Sequence, residues 1–128
     1  MKKKIKILIS ASPFCKHSKK PISLLKKNKI EFDFNPKKRK LTESEILDII
    51  GKYDGLIADI EPLNDKVLSN GKNLKIISRV GIGVNNIYLV YAKKKGIVVA
   101  NTPDAPTEAV AELNLGLILN LIRNISIH

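Results

Sequence analysis

Tryptophan is missing from this 128-residue chain, and only three tyrosines and three phenylalanines are present. That disfavours a protein that holds single-stranded nucleic acid on rows of stacked rings. Arginine is scarce as well. Arg39, Arg79 and Arg123 are the only three, so the formal charge of +11 is almost wholly lysine. Bidentate contacts to phosphate and guanine call for arginine. The lysine clusters at Lys2 to Lys4, at Lys37, Lys38 and Lys40 around Arg39, and at Lys93 to Lys95 therefore read as solvated faces. No nucleic-acid partner is expected. A single cysteine, Cys15, excludes a disulfide within the chain and suits a reducing, cytoplasmic setting. Long apolar runs are missing too. Ile5 to Ile9 is short and broken by Lys6, so it is not a signal peptide. Ala109 to Ile125 is interrupted by Glu112, Asn114, Asn120 and Arg123, so no membrane span is expected.

What is present is an alternation of short apolar runs and helical patterns. Lys4–Ser10, Ile30–Phe34, Asp54–Ile60, Leu74–Val80 and Ile97–Ala100 read as five strands. The second alternates apolar and acidic residues, as an edge strand does. Helices are expected around Ile22 to Ile30, from Thr42, over Asn64–Ser69, over Ile87–Lys95 and from Asp104 onward. Thr42 with Glu45 fits a capping box, and Gly51 and Gly96 stand where helices end. Strands alternating with helices predict an α/β fold: a flavodoxin-like, doubly wound, parallel five-stranded sheet covered on both faces, with a long C-terminal helix. Ligands of such sheets bind beyond the carboxyl ends of the strands, here the loops after Ser10, Ile60, Val80 and Ala100.

The most informative of these loops is Arg79-Val80-Gly81-Ile82-Gly83-Val84-Asn85-Asn86. Two glycines follow a strand directly and precede a helix. Glycine permits positive φ and lets a ligand approach the backbone. A dinucleotide fingerprint, GxGxxG, would place a third glycine where Asn86 stands. It would also want an acidic residue at the end of the next strand, where Asn101 stands. Two readings stay open on spacing alone: a plain tight turn, and a nest of amides for a small anion.

The stretch Leu74 to Ile87 resembles the strand-loop-helix of the D-isomer-specific 2-hydroxyacid dehydrogenases. Gly96 to Glu112, with Asn101-Thr102-Pro103-Asp104-Ala105-Pro106, resembles that family's next block. Leu56-Ile57-Ala58 with Glu61-Pro62 is similar to its phosphoglycerate-dehydrogenase branch. The blocks come in family order and spacing over about residues 54 to 125. The resemblance implies an oxidoreductase that interconverts 2-hydroxy and 2-keto acids with NAD. It implies that Val80, Gly81, Ile82 and Gly83 hold the substrate carboxylate, that Arg79 supports their loop, and that Glu61 lies near the substrate. It further implies a hinge from Asn101 to Thr107, with Thr107 and Val110 approaching the cofactor. The chain departs from the family pattern at Asn85 and Tyr88, usually acidic, and at Asp59-Ile60, usually Gly-Thr. A carboxylate at Asp59 would repel an anionic substrate unless it points away.

Reducing a keto acid needs an acid–base group and a cation over the developing oxyanion. In the resembled family a His, a Glu and an Arg supply these downstream, and His17 and His128 match none of them. The expectation is therefore an incomplete substrate domain over residues 1–103, with 104–128 leading toward an NAD-binding domain. Such a chain would be truncated or split and inactive alone. The last helix carries two apolar stripes, Val110-Leu113-Leu117-Leu121-Ile125 and Leu115-Ile118-Leu119-Ile122. A helix apolar nearly all round expects burial nearly all round. A homodimer, or a complementing polypeptide, is expected on it, unless it folds back over the sheet. Two other functions compete: a non-catalytic module that binds a small carboxylate or a protein, and a phosphoacceptor receiver domain with Asp59 as acceptor. The receiver reading lacks paired acids after strand one, where Ser10-Ala11-Ser12 stands, and a lysine after strand five.

Overall fold

A computed structural model describes residues 4–125, so Lys2, Lys3 and His128 lie outside the described residues. Five parallel strands form one sheet: β1 (Lys6–Ile9), β2 (Glu31–Phe34), β3 (Gly55–Ala58), β4 (Ile76–Arg79) and β5 (Val98–Ala100). Their order is β2-β1-β3-β4-β5, the flavodoxin-like order. Each strand is shorter than the run read for it in the sequence. Five helices alternate with them: α1 (Lys20–Lys27), α2 (Glu43–Ile50), α3 (Asp65–Asn70), α4 (Leu89–Lys94) and α5 (Thr107–Arg123).

Local chemistry sets the helix boundaries. Thr42 accepts the Glu45 amide while the Glu45 carboxylate accepts the Thr42 amide, which completes the capping box at α2. The same carboxylate takes a two-pronged bond from Arg39, at 2.7 and 2.9 Å. That guanidinium first, and the Thr42 amide second, hold the Glu45 carboxyl down at about 2. Asn64 caps α3 through the Val67 amide. Gly51 follows α2 without the left-handed turn that a terminal glycine suggests, its φ being −62°. Its lack of a side chain serves another end: a Cβ there would meet the Asn70 carbonyl at 3.1 Å. Gly96 does take the left-handed conformation, at φ +69°, and turns α4 into β5.

Helices stand on both faces of the sheet, as expected, but one face is covered only in part. The chain steps from β1 to β2 in one direction, then crosses from β2 to β3, β4 and β5 in the other. Right-handed crossovers therefore put α1 on one face and α2, α3 and α4 on the opposite one. On the latter face Leu8, Leu56 and Ile77 stand in register and pack with Ile46, Ile50, Val67, Leu68 and Ala92. The other face is buried near β1, at Ile7 and Ile9, and open near β5, where Ile76 is 44% and Val98 60% exposed. At the β2 edge, Asp33 takes a 2.8 Å bond from the Tyr53 hydroxyl and a 2.7 Å ion pair from Lys6. Alternating charge leaves that edge strand half-wetted, as its sequence predicts.

The long helix α5 begins after Pro106 and ends at Asn124, which is left-handed with φ 52°. None of its side chains is buried. It does not fold back as a covering helix. Both of its apolar stripes face outward, with Leu121 76% exposed.

Candidate functional site

The sheet brings four loops together beyond its carboxyl ends: those after β1, β3, β4 and β5. The loop after β4 is built by its two glycines in different ways. Gly81 sits at φ +146°, a conformation that side chains avoid. The Arg79 guanidinium folds into the space beside it, so that a Cβ on Gly81 would stand 2.5 Å from Nη1. From there Nη1 donates to the Val80 carbonyl, while the buried Nε has no partner among the described residues. Gly83 does not use positive φ, and a Cβ there would meet nothing within 4 Å. Its absence leaves open space next to the backbone.

Hydrogen bonds hold the loop on both flanks. On the β5 side, the Gly81 carbonyl accepts the Thr102 amide at 3.0 Å and the Ile82 carbonyl accepts Asn101 Nδ2 at 2.8 Å. On the β3 side, Asn86 Nδ2 donates to the carbonyls of Asp59, at 3.2 Å, and Glu61, at 2.8 Å. The backbone continues that join: the Leu63 amide bonds to the Asn86 carbonyl and the Tyr88 amide to the Leu63 carbonyl. The amides within the loop divide into two groups. Val80 donates to Ala58 and Gly81 to Arg79, so both are used by the protein. Ile82 and Gly83 have no amide partner among the described residues. The Ile82 side chain, 46% exposed, lies beside them. Of the four positions read as carboxylate-holding, the latter two present free donors. Arg79 adds a positive charge that makes no ion pair among the described residues. An arrangement of this kind suits a small anion.

Glu61 is turned inward. It is fully buried, bonded to the Ser10 hydroxyl and accepting the Asp59 amide at 3.2 and 3.4 Å. Burial pushes its carboxyl above the ordinary value, against the opposing pull of the Ser10 bond. Ser10 Oγ also lies 3.0 Å from the Ile57 carbonyl. One hydroxyl carries one hydrogen. The Ser10 hydroxyl therefore shares its hydrogen between the Glu61 carboxyl and the Ile57 carbonyl. In this arrangement Glu61 ties the end of β1 to the turn after β3 and presents no surface to a ligand. Thr107 and Val110 stand apart from the loop on the first turn of α5, both exposed. Ser10, Asn86, Asn101 and Thr102 organise the site without having been singled out as site residues. Their only signal in sequence is a short polar side chain at the end of a strand or the start of a helix.

Residues 7–115 match the family model described as D-isomer specific 2-hydroxyacid dehydrogenase, catalytic domain. A D-3-phosphoglycerate dehydrogenase of Synechocystis sp. is 41% identical over 86 residues, which is 66% of this chain and 16% of that protein. A hydroxypyruvate reductase of Thermotoga maritima is 44% identical over 87 residues, 67% of this chain and 28% of that protein. Among solved structures, the NAD+-bound 3-phosphoglycerate dehydrogenase of Entamoeba histolytica superposes with a TM-score of 0.79 at 29% identity. That match covers 91% of this chain and 39% of the other. The chain thus spans well under half the length of each of these relatives.

Proposed function

This chain belongs to the D-isomer specific 2-hydroxyacid dehydrogenase family, and from that premise we propose that it forms the acid-binding part of an NAD-dependent oxidoreductase acting on a CH–OH group. The substrate is a small 2-hydroxy or 2-keto acid, of the kind handled by phosphoglycerate dehydrogenases. One observation carries the reading. The amides of Ile82 and Gly83 have no acceptor among the described residues, space is open beside Gly83, and the Arg79 guanidinium next to Gly81 has no ion pair among the described residues. These donors hold the substrate carboxylate, and Val80 and Gly81 shape the turn that presents them. The Asp59 backbone is tied into the loop's base, its amide to Glu61 and its carbonyl to Asn86. Glu61 acts through the loop's foundation and does not touch the substrate.

Residues 1–103 form the substrate domain in this proposal, and 104–128 lead toward an NAD-binding domain. Thr107 and Val110 on α5 are the positions that approach the cofactor. When bound, the nicotinamide supplies or receives the hydride. The part of these 128 residues is to fix the acid's carboxylate so that its C2 faces the cofactor. The apolar stripes of α5 dock on a second copy or on a complementing polypeptide. The setting we propose is cytoplasmic. Among the described residues no helix is long and apolar enough to cross a membrane.

The test is a titration of the purified chain with 3-phosphohydroxypyruvate, followed by amide NMR and by NADH oxidation. The expected result is saturable movement of the Ile82 and Gly83 resonances without turnover. Absence of any shift at these two amides would overturn the binding assignment. Steady NADH oxidation, free of contaminating enzyme, would overturn the division into domains.

A further inference from the structure

One cavity beside the sheet is lined by none of the glycine-loop residues. It lies beyond the carboxyl ends of β1 and β2, on the far side of β1 from β4, and has a volume of about 430 Å³. Adjacent strands stand roughly 4.8 Å apart, so β1 and β4, two positions apart in the sheet, are separated by roughly 10 Å. The floor is buried: Ile9, Ser10, Ala11 and Asn35 are each less than a tenth exposed. The rings of Phe14 and Phe34 form apolar walls. Lys16 and Lys38 complete the lining, with the hydroxyl of Ser12.

The placement of Lys38 is specific. Asn35 receives the Lys37 amide at 2.9 Å and donates to the Arg39 carbonyl at 2.7 Å, which folds residues 36–39 into a tight turn. Lys38 is held there in the left-handed region, at φ 54°. Non-glycine residues enter that region at a cost, and only where neighbouring bonds impose it. Glu45, which pairs with the cations flanking Lys38, is shared by Arg39 and Lys37. Lys38 and Lys16 therefore make no ion pair among the described residues, and no aspartate or glutamate lines the cavity. Two uncompensated cations over an apolar, partly aromatic hollow of this volume form a pocket with a charge preference.

We propose that this cavity is a second binding site, for an organic anion of metabolite size. The anion's phosphate or carboxylate sits between Lys16 and Lys38, and a flat apolar body lies between Phe14 and Phe34. The site shares Ser10 with the ties beneath the glycine loop, but its lysines and phenylalanines lie outside that loop, and it does not rest on the reading given to the loop above. Phenyl phosphate and benzoate are the probes, with phenol and inorganic phosphate as their separate halves, each titrated into the full chain and followed by amide NMR. The expected result is saturable shifts at Ser12, Phe14, Lys16 and Lys38 with phenyl phosphate or benzoate, at an affinity about tenfold or more above that of either half. Whichever of the two anions binds more tightly identifies the head group. Lys16→Gln with Lys38→Gln should weaken binding about tenfold, on the scale of one charge-assisted hydrogen bond. Lys26→Gln with Lys27→Gln, an equal charge change on exposed α1, should leave it unchanged. Shifts confined to Gly81–Gly83 would overturn the proposal. So would equal loss in both double variants, which would mean attraction by net charge alone, or equal affinity for phenyl phosphate and inorganic phosphate.

Discussion

Replacing Gly81 by alanine should be the most damaging single-methyl change in the loop after β4, and its cost can be assembled from two parts. The first is backbone strain. At φ +146° a residue with a Cβ is in a region essentially reserved for glycine, which costs on the order of 1–3 kcal/mol. The second is displacement of Arg79. The new methyl would stand 2.5 Å from Nη1, so the guanidinium must swing away and release the Val80 carbonyl. The arginine tip is flexible and partly wetted, so this part is about 1 kcal/mol, the lower end of the range for charged hydrogen bonds. The sum is roughly 2–4 kcal/mol. At roughly 4 °C per kcal/mol for a domain of this size, the midpoint of thermal unfolding should fall by roughly 8–16 °C. Gly83→Ala provides the contrast. Nothing lies within 4 Å of its added Cβ, and its φ is ordinary, so stability should change by less than ~0.5 kcal/mol. A further comparison separates the two parts. In an Arg79→Ala background the clash is gone, and Gly81→Ala should cost only the strain, leaving a coupling of about 1 kcal/mol between the two sites. Urea unfolding of the four variants supplies the numbers. Equal losses for Gly81→Ala and Gly83→Ala would refute the separate roles assigned to the two glycines.

Three other perturbations probe other parts of the structure. The Glu61 carboxyl is raised in the folded chain, so its contribution is fully present below its unfolded value and is lost as pH rises through the folded value. Glu61→Gln should therefore flatten the decline in stability of the parent chain above the ordinary carboxylate range, as read by unfolding midpoints across a pH series. Ile77→Ala should cost about 2–5 kcal/mol and Ile76→Ala under about 1 kcal/mol, because their side chains leave β4 toward the packed and the open face respectively. Similar losses in urea unfolding would contradict the one-sided sheet. Leu121→Lys together with Ile122→Lys should shift sedimentation of the chain toward the monomer, since both side chains project from α5 into solvent. Unchanged association would mean that copies meet elsewhere.

The fold was legible where local rules and packing agree. Five apolar runs punctuated by helical patterns are what a parallel sheet requires. Thr42 with Glu45 announced its capping box because both halves lie within one turn of chain. The glycine loop was legible as a tight turn between β4 and α4. Its internal division was not, because φ at Gly81 and free space at Gly83 depend on where Arg79 folds. Gly51 shows the same limit. Position suggested a left-handed cap, while the demand comes from the Asn70 carbonyl, distant in sequence. Glu61 was read as lying near the substrate, and its burial depends on Ser10, separated from it by two strands' worth of chain. The sheet's open face also escaped the sequence. Apolar Ile76 and Val98 look like core residues, and only the direction of the crossovers exposes them.

The double fastening of the loop by Asn86 and Asn101 bears on the thermodynamics of any anion that settles there. A loose glycine loop would have to be ordered by its guest, and that entropy would be subtracted from the affinity. Here the ordering is completed as the chain folds, by bonds to Asp59 and Glu61 on one flank and from Asn101 and Thr102 on the other. On the proposed reading, a carboxylate would meet donors whose loop is already ordered. Its binding should carry little change in heat capacity and little slow conformational exchange, the calorimetric character of a rigid receptor.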